Sequence, residues 1–133
     1  MNKFAVDVSK WANKTSDGIE NIRKAIIFEL FSSVIMDTPV DTGRLRGNWV
    51  LSSGLPYSGT VSLDDPSGGR VMLELKTFVD SGVLKTDQVI YMSNNLPYAY
   101  RIEYDGWSHT KAPQGMVRKN FIRVSQNLKL QNP

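Results

Sequence analysis

The segment Thr38–Trp49, which reads TPVDTGRLRGNW, separates a helical pattern from an alternating one. Pro39 has no backbone N–H and disfavours the helical conformation of the residue before it, so a preceding helix should end at this point. Asp41 is suited to accept hydrogen bonds from nearby backbone N–H groups, and Gly43 tolerates a positive φ. The sequence therefore predicts a tight corner between a long helix and the next element.

After this corner the side chains alternate, which predicts a strand from Arg44 to Ser52. In such a strand Arg44 and Arg46 stand side by side on one face. Two interpretations are open: solvated arginines at a corner, or two cations held against an acidic partner surface. This stretch alone favours the first.

The N-terminal region, residues 1–37, has a helical pattern. Phe4, Val8 and Trp11 share one face of a short helix. A second helix should begin near Asp17, because Asp17 and Glu20 have the spacing of a capping box. Its apolar positions become denser toward residue 37, so we expect that end to be enclosed by protein.

Residues 44–93 predict a small sheet with an inserted helix. The alternation favours an antiparallel hairpin of Leu45–Leu51 with Tyr57–Leu63. A helix is expected over residues 66–79, with Asp65 as its cap, and QVIYMS at Gln88–Ser93 is the third strand.

Residues 97–128 predict a short helix at Pro97–Tyr104, a loop and a last helix that begins at Pro113. The whole chain is then a single α+β domain, 1–133. In it a long N-terminal helix packs on a small antiparallel sheet of about three to four strands, with a central and a C-terminal helix.

Composition excludes several function classes. The chain has no cysteine and one histidine, which removes disulfide frameworks, thiolate chemistry and zinc fingers. No apolar run approaches the ~20 residues that a membrane span needs, and the N-terminus is unlike a signal peptide, so we expect a soluble protein in a cytosol-like compartment.

The net charge of +3 is unevenly distributed, because no acid follows Asp105. The basic residues after it are Lys111, Arg118, Lys119, Arg123 and Lys129. This distribution indicates a contact with an acidic protein, a neighbouring copy or nucleic acid. A solvated helix face remains favoured over DNA binding.

The strongest enzyme hypothesis is the group Glu103, Asp105 and His109, which could bind a divalent metal or transfer protons. No second histidine or acid pair joins it at metal-ligand spacing, so we predict no enzyme activity, metal or cofactor. Tyr98, Tyr100 and Tyr104, with Arg101 beside them, could stack on bases, but aromatics with arginine are also typical of protein contacts.

Two motifs, in this order, resemble a family of small head–tail joining or tail-completion proteins of long-tailed bacteriophages. The first is P-x-D-T-G-x-L, matched by Pro39, Asp41, Thr42, Gly43 and Leu45, with Trp49 shortly after it. The second is Y-A-x-x-x-E-x-G followed by A-P-x-G-M, matched by Tyr98, Ala99, Glu103, Ala112, Pro113, Gly115 and Met116. The sequence departs from the family pattern at Glu103-Tyr104-Asp105-Gly106, which is one residue longer than the usual Glu-Tyr-Gly.

The resemblance implies a non-enzymatic, structural protein of the virion neck, assembled in the host bacterial cytoplasm. It implies a ring of about six copies with head-to-tail contacts. Neighbours would be a tail terminator or tail-tube protein and the head-connector proteins, with viral DNA passing through the lumen without specific binding. Interface residues expected from the residue pattern are Arg44, Arg46, Tyr100, Arg101, Arg118, Lys119 and Arg123.

Two other hypotheses stay open at this point. One is a small nucleic-acid-binding module that uses the basic last helix and the tyrosines. The other is a metal-dependent enzyme at Glu103, Asp105 and His109.

Overall fold

Helix α1, Gly18–Asp37, is 20 residues long and begins one residue after the predicted cap. The computed structural model describes residues 18–85, 88–105 and 115–131. The predicted helix with Phe4, Val8 and Trp11 lies outside these residues. So do His109, Ala112 and Pro113.

Four further helices and two strands follow in the described residues. They are α2 Arg44–Gly47, β1 Val50–Ser53, α3 Gly69–Asp80, β2 Ile90–Ser93, α4 Pro97–Asp105 and α5 Arg118–Gln131, with a 3-10 helix at Val83–Lys85. The strands pair antiparallel, with Val50 opposite Ser93 and Ser53 opposite Ile90. The mixed helix and sheet class is confirmed, whereas the described residues form a two-stranded sheet and not the three or four strands expected.

The strand predicted to begin at Arg44 is wrong, because Arg44–Gly47 forms one helical turn. The Gly47 N–H donates to the Gly43 carbonyl over 2.9 Å and closes this turn. The Asn48 side chain donates to the Arg44 carbonyl at 2.7 Å and holds the end of the turn. Arg44 and Arg46 therefore do not share the face of a strand.

The predicted hairpin with Tyr57–Leu63 is also wrong, since that segment has no strand and β1 pairs with β2 instead. The side-chain amide of Asn48 makes the hydrogen bonds to Val61 that a neighbouring strand would make. Its Nδ2 donates to the Val61 carbonyl at 3.0 Å, and its Oδ1 accepts from the Val61 N–H at 2.7 Å. Asn95 Nδ2 donates to the carbonyls of Tyr57 and Gly59. Side-chain amides thus satisfy backbone groups that a sheet ladder would otherwise satisfy.

The helices agree more closely with the sequence patterns. Helix α3 begins at Gly69, three residues after the predicted start, because Gly68 has φ 78°. Asp65 keeps a capping function, since its Oδ2 accepts from the Val71 N–H at 2.9 Å. Helix α4 begins at the predicted Pro97 and ends one residue later than predicted, at Asp105. Strand β2 begins at Ile90, two residues after the predicted start, and ends at the predicted Ser93.

One apolar core unites most of these elements. α1 contributes Val34 and Ile35, and α3 contributes Val71, Leu75 and Val79. The remaining buried members are Leu45, Trp49, Leu84, Leu96, Ala99, Ile102 and Met116. A smaller cluster of Ala25 and Val124 joins α1 to α5. None of the described helices has the length and apolar character needed to cross a membrane.

Candidate functional site

A cavity of about 540 Å³ lies where the two sequence motifs meet. We call it the corner groove. Its walls are the Pro39–Leu45 corner on one side and α4 on the other. The lining residues are Pro39, Asp41, Thr42, Gly43, Arg44, Leu45, Tyr98, Arg101 and Ile102. The two motifs are more than fifty positions apart in the sequence, so the fold brings them together.

The corner is held from behind by a buried pair of polar side chains. Thr38 Oγ1 donates to the Val34 carbonyl at 2.7 Å and accepts from Trp49 Nε1 at 2.8 Å. Both side chains are buried. Because an unpaired indole N–H is costly in a core, this bond sets the position of the chain entering β1 relative to the end of α1.

Arg46 ties the same corner together from the other side. Its guanidinium donates to the carbonyls of Pro66 at 2.7 Å, and of Met36 and Thr38 at 3.0 Å each. The last carbonyls of α1 have no following helical turn whose N–H groups could donate to them. The last turn of α1 also contains no basic residue that could do so. Arg46 therefore supports the corner from within the chain, and it does not line the groove.

Gly43 is the tightest point of the corner. It has φ 91°, and a Cβ there would lie 2.3 Å from the Pro66 nitrogen. Its carbonyl accepts from the N–H groups of Gly47 and Asp65, both at 2.9 Å. Only glycine combines this φ with this close approach.

Arg44 and Arg101 are the two cationic residues of the groove lining, one on each wall, and both are exposed. Within the described residues neither guanidinium has a hydrogen bond or an ion pair. The other arginines each donate to a described oxygen: Arg23, Arg46, Arg70, Arg118 and Arg123. The unpaired arginines thus coincide with the groove.

Glu103, on α4, anchors the start of α5. Its carboxylate accepts from the N–H groups of Met116 at 2.8 Å, Val117 at 2.9 Å and Arg118 at 2.9 Å. Burial by itself would raise the pKa of Glu103, but these N–H donors outweigh it and hold the pKa below its ordinary value. Gly115 permits the approach: it has φ 83°, and a Cβ would lie 2.5 Å from the Glu103 carbonyl oxygen.

The exposed side of α4 carries a small aromatic stack. The rings of Tyr100 and Tyr104 lie 4.5 Å apart, and the Arg118 guanidinium lies 4.5 Å above the Tyr104 ring. Tyr100 is 69% exposed. On α5, Phe121 and Ile122 are also largely exposed. We call the two neighbouring rings of α4, Tyr100 and Tyr104, the aromatic patch.

The basic residues of α5 whose side chains the structure describes, Arg118, Lys119 and Arg123, have partners inside the chain. Lys119 lies 3.5 Å from the Asp37 carboxylate, and Arg123 lies 2.9 Å from Glu29 and 2.7 Å from the Ser33 hydroxyl. Arg118 pairs with Glu103 at 3.3 Å. The sequence distribution suggested an acidic partner for this helix, and α1 and α4 supply acids of the same chain.

The proposed metal group is only partly described. Both oxygens of Glu103 already accept backbone N–H groups, and His109 lies outside the described residues. Over residues 18–85, 88–105 and 115–131, no three histidine, cysteine or acidic side chains are placed to hold a metal ion.

Sequence reasoning missed the asparagines that support the groove. Asn48 fixes α2 to the segment around Val61, and Asn94 Nδ2 donates to the Leu45 carbonyl at 2.8 Å. A buried asparagine two residues before a strand is a weak signal, since the sequence does not show that Asn48 reaches a carbonyl thirteen residues away, at Val61. The remaining motif residues have structural places: Ala99 and Met116 are buried in the core.

Comparison of the chain with known protein families, with curated proteins and with solved structures finds no match in any of the three.

Proposed function

We propose that this chain is a structural subunit of a bacteriophage neck, a tail-completion or head–tail joining protein that stabilises the tail end and connects it to the head. The observation that supports this most is the corner groove. The first motif, around Gly43, and the start of the second motif, at Tyr98 on α4, line the same surface. Residues that meet at a surface without a catalytic set suit a contact site.

The aromatic patch supports a role in assembly. Tyr100 is 69% exposed, and Tyr104 beside it is exposed too. Large exposed aromatics with an adjacent arginine are enriched in the centres of protein interfaces. In a ring of about six copies, this patch would contact a different surface of the next subunit, because head-to-tail contacts are heterologous.

The internal pairing of α5 reduces the support for a nucleic-acid-binding module. Arg118, Lys119 and Arg123 are the cations that such a module would present to phosphates, and each has an acidic partner in the chain. Viral DNA would then pass through the ring lumen without being bound by this helix.

Assembly is tested directly in a phage whose gene for this chain carries Tyr100→Ala or Arg44→Glu. We expect folded subunits, separate heads and tails in electron micrographs, and a loss of infectious titre. The matched control is Lys76→Glu, which reverses an exposed charge on α3, away from the groove and the patch. Normal titre for both test variants would contradict the proposal, as would an absence of rings in micrographs of particles and purified protein.

A further inference from the structure

We propose that the corner groove binds an acidic peptide segment of a different protein, with a carboxylate held between Arg44 and Arg101. Under the proposed function this partner is a neighbouring neck protein, and that identity depends on the proposed function. The carboxylate chemistry does not depend on it.

The chemistry follows from the two free guanidiniums. Guanidinium groups bind carboxylates through paired hydrogen bonds, and Arg44 and Arg101 make none with described residues. Every other arginine of the chain donates to a described oxygen, so this state is particular to the groove. A cavity of about 540 Å³ has room for a few side chains.

Both walls of the groove are held in place by contacts within the chain, and a site formed before binding lowers the cost of binding. Arg44 lies on α2, whose end is held by Asn48 and Asn94. Arg101 lies on α4, which contributes the buried Ile102 to the core. Leu45, Tyr98 and Ile102 add apolar wall, so the segment should carry apolar residues beside its acids.

Asp41 discriminates between acidic ligands. Asp41 lines the same groove and is exposed, so the lining contains two cationic residues and one anionic residue. A peptide with one or two carboxylates can bind the arginines without placing a second negative charge beside Asp41. A nucleic-acid backbone has closely spaced phosphates, so some of them would be repelled by Asp41. A protein segment is therefore favoured over DNA or RNA.

A second copy is disfavoured as the partner because most of the acids whose side chains the structure describes already have a partner in the same chain. Glu29, Asp37 and Glu103 have basic partners of the same chain. Glu20, Asp65 and Glu74 also have partners within the chain.

The test is fluorescence anisotropy of a labelled, blocked peptide of alternating glutamate and leucine, titrated with the purified full chain. A glutamine-for-glutamate peptide is the ligand control. We expect binding of the acidic peptide alone, and a loss of about tenfold or more in affinity for Arg44→Ala and for Arg101→Ala. Lys76→Ala, which removes an exposed cation elsewhere, should change affinity by less than about twofold. Arg101→Glu should bind a lysine-for-glutamate peptide instead.

Three results would overturn the inference. The first is equal binding of the glutamine peptide, or no binding of either. The second is an oligothymidylate that binds more tightly than the acidic peptide and loses affinity in Arg101→Ala, which would assign the groove to nucleic acid. The third is self-association in sedimentation velocity that Arg101→Ala abolishes, which would assign it to a second copy. Peptide binding is measured without phage particles. A failure to bind the peptide would therefore reject the inference about the groove without deciding the proposed function, which the assembly experiment tests separately.

Discussion

Replacing Glu103 with glutamine tests the anchoring of α5 while preserving side-chain volume. The carboxylate accepts three backbone N–H groups, from Met116, Val117 and Arg118, over 2.8 to 2.9 Å. In Glu103→Gln one carboxylate oxygen becomes an NH2 group. The NH2 group is a hydrogen-bond donor, so it would face backbone N–H groups that are donors too. At least one of these N–H groups would then lack an acceptor.

The magnitude follows from these contacts. A hydrogen bond to a charged group contributes about 1.5–3 kcal/mol, and loss of an N-terminal cap costs about 0.5–2 kcal/mol. The three bonds share one carboxylate and are not additive, and glutamine keeps one acceptor. We therefore expect the free energy of unfolding to fall by about 2–4 kcal/mol at pH 7. Glu74→Gln is the control: its exposed pair with Arg70 contributes about 0–1 kcal/mol.

The effect should depend on pH in a defined direction. The pKa of Glu103 is lowered in the folded chain from its ordinary value of 4.5. Stability that comes from a lowered pKa is fully present above the unfolded-state pKa and is lost as the pH falls through the folded-state pKa. The difference between wild type and Glu103→Gln should therefore be constant near neutrality and shrink below about pH 4.5.

The assay is urea unfolding followed by far-UV circular dichroism, for wild type and both variants, across this pH range. A cost for Glu103→Gln no larger than that of Glu74→Gln would refute the anchoring argument. So would a difference that stays constant down to the lowest pH at which the protein folds.

Three further substitutions test the supports of the groove and the anchor of α5, each by urea unfolding. Trp49→Phe removes the indole donor to the buried Thr38 hydroxyl and should lower the free energy of unfolding by about 1–3 kcal/mol. When Trp49→Phe is added to the Thr38→Val variant, which already lacks the acceptor, the further loss should be smaller. Gly115→Ala should cost more than about 2 kcal/mol, because its Cβ would lie 2.5 Å from a carbonyl oxygen, while Gly82→Ala, with nothing within 4 Å, should cost about 1–2 kcal/mol. Asn48→Asp brings a carboxylate against two carbonyl oxygens and should cost about 2–4 kcal/mol; an unchanged unfolding midpoint would contradict its bridging role.

The helices were largely determined by local sequence. The signals that set the helices act within a turn or two. They are the spacing of apolar residues, the proline after Thr38 and Gly82 just after the end of α3. Helices α1, α3 and α4 therefore lie close to their predicted positions. The corner itself was also local, since Gly43 adopts the positive φ that the pattern required.

Strand pairing and the use of charge were decided by tertiary structure. Alternation after Arg44 is compatible with a strand, but Asn48 and the core position of Leu45 favour a helical turn. β1 then pairs with β2, about forty residues away, because register depends on which faces the core buries. Likewise the sequence determined how many cations the chain carries. The packing of α5 on α1 decided that Lys119 and Arg123 meet acids of the same chain, because ion pairs depend on distances that the sequence order does not contain. Arg44 and Arg101 have no such partner among the described residues and line the groove.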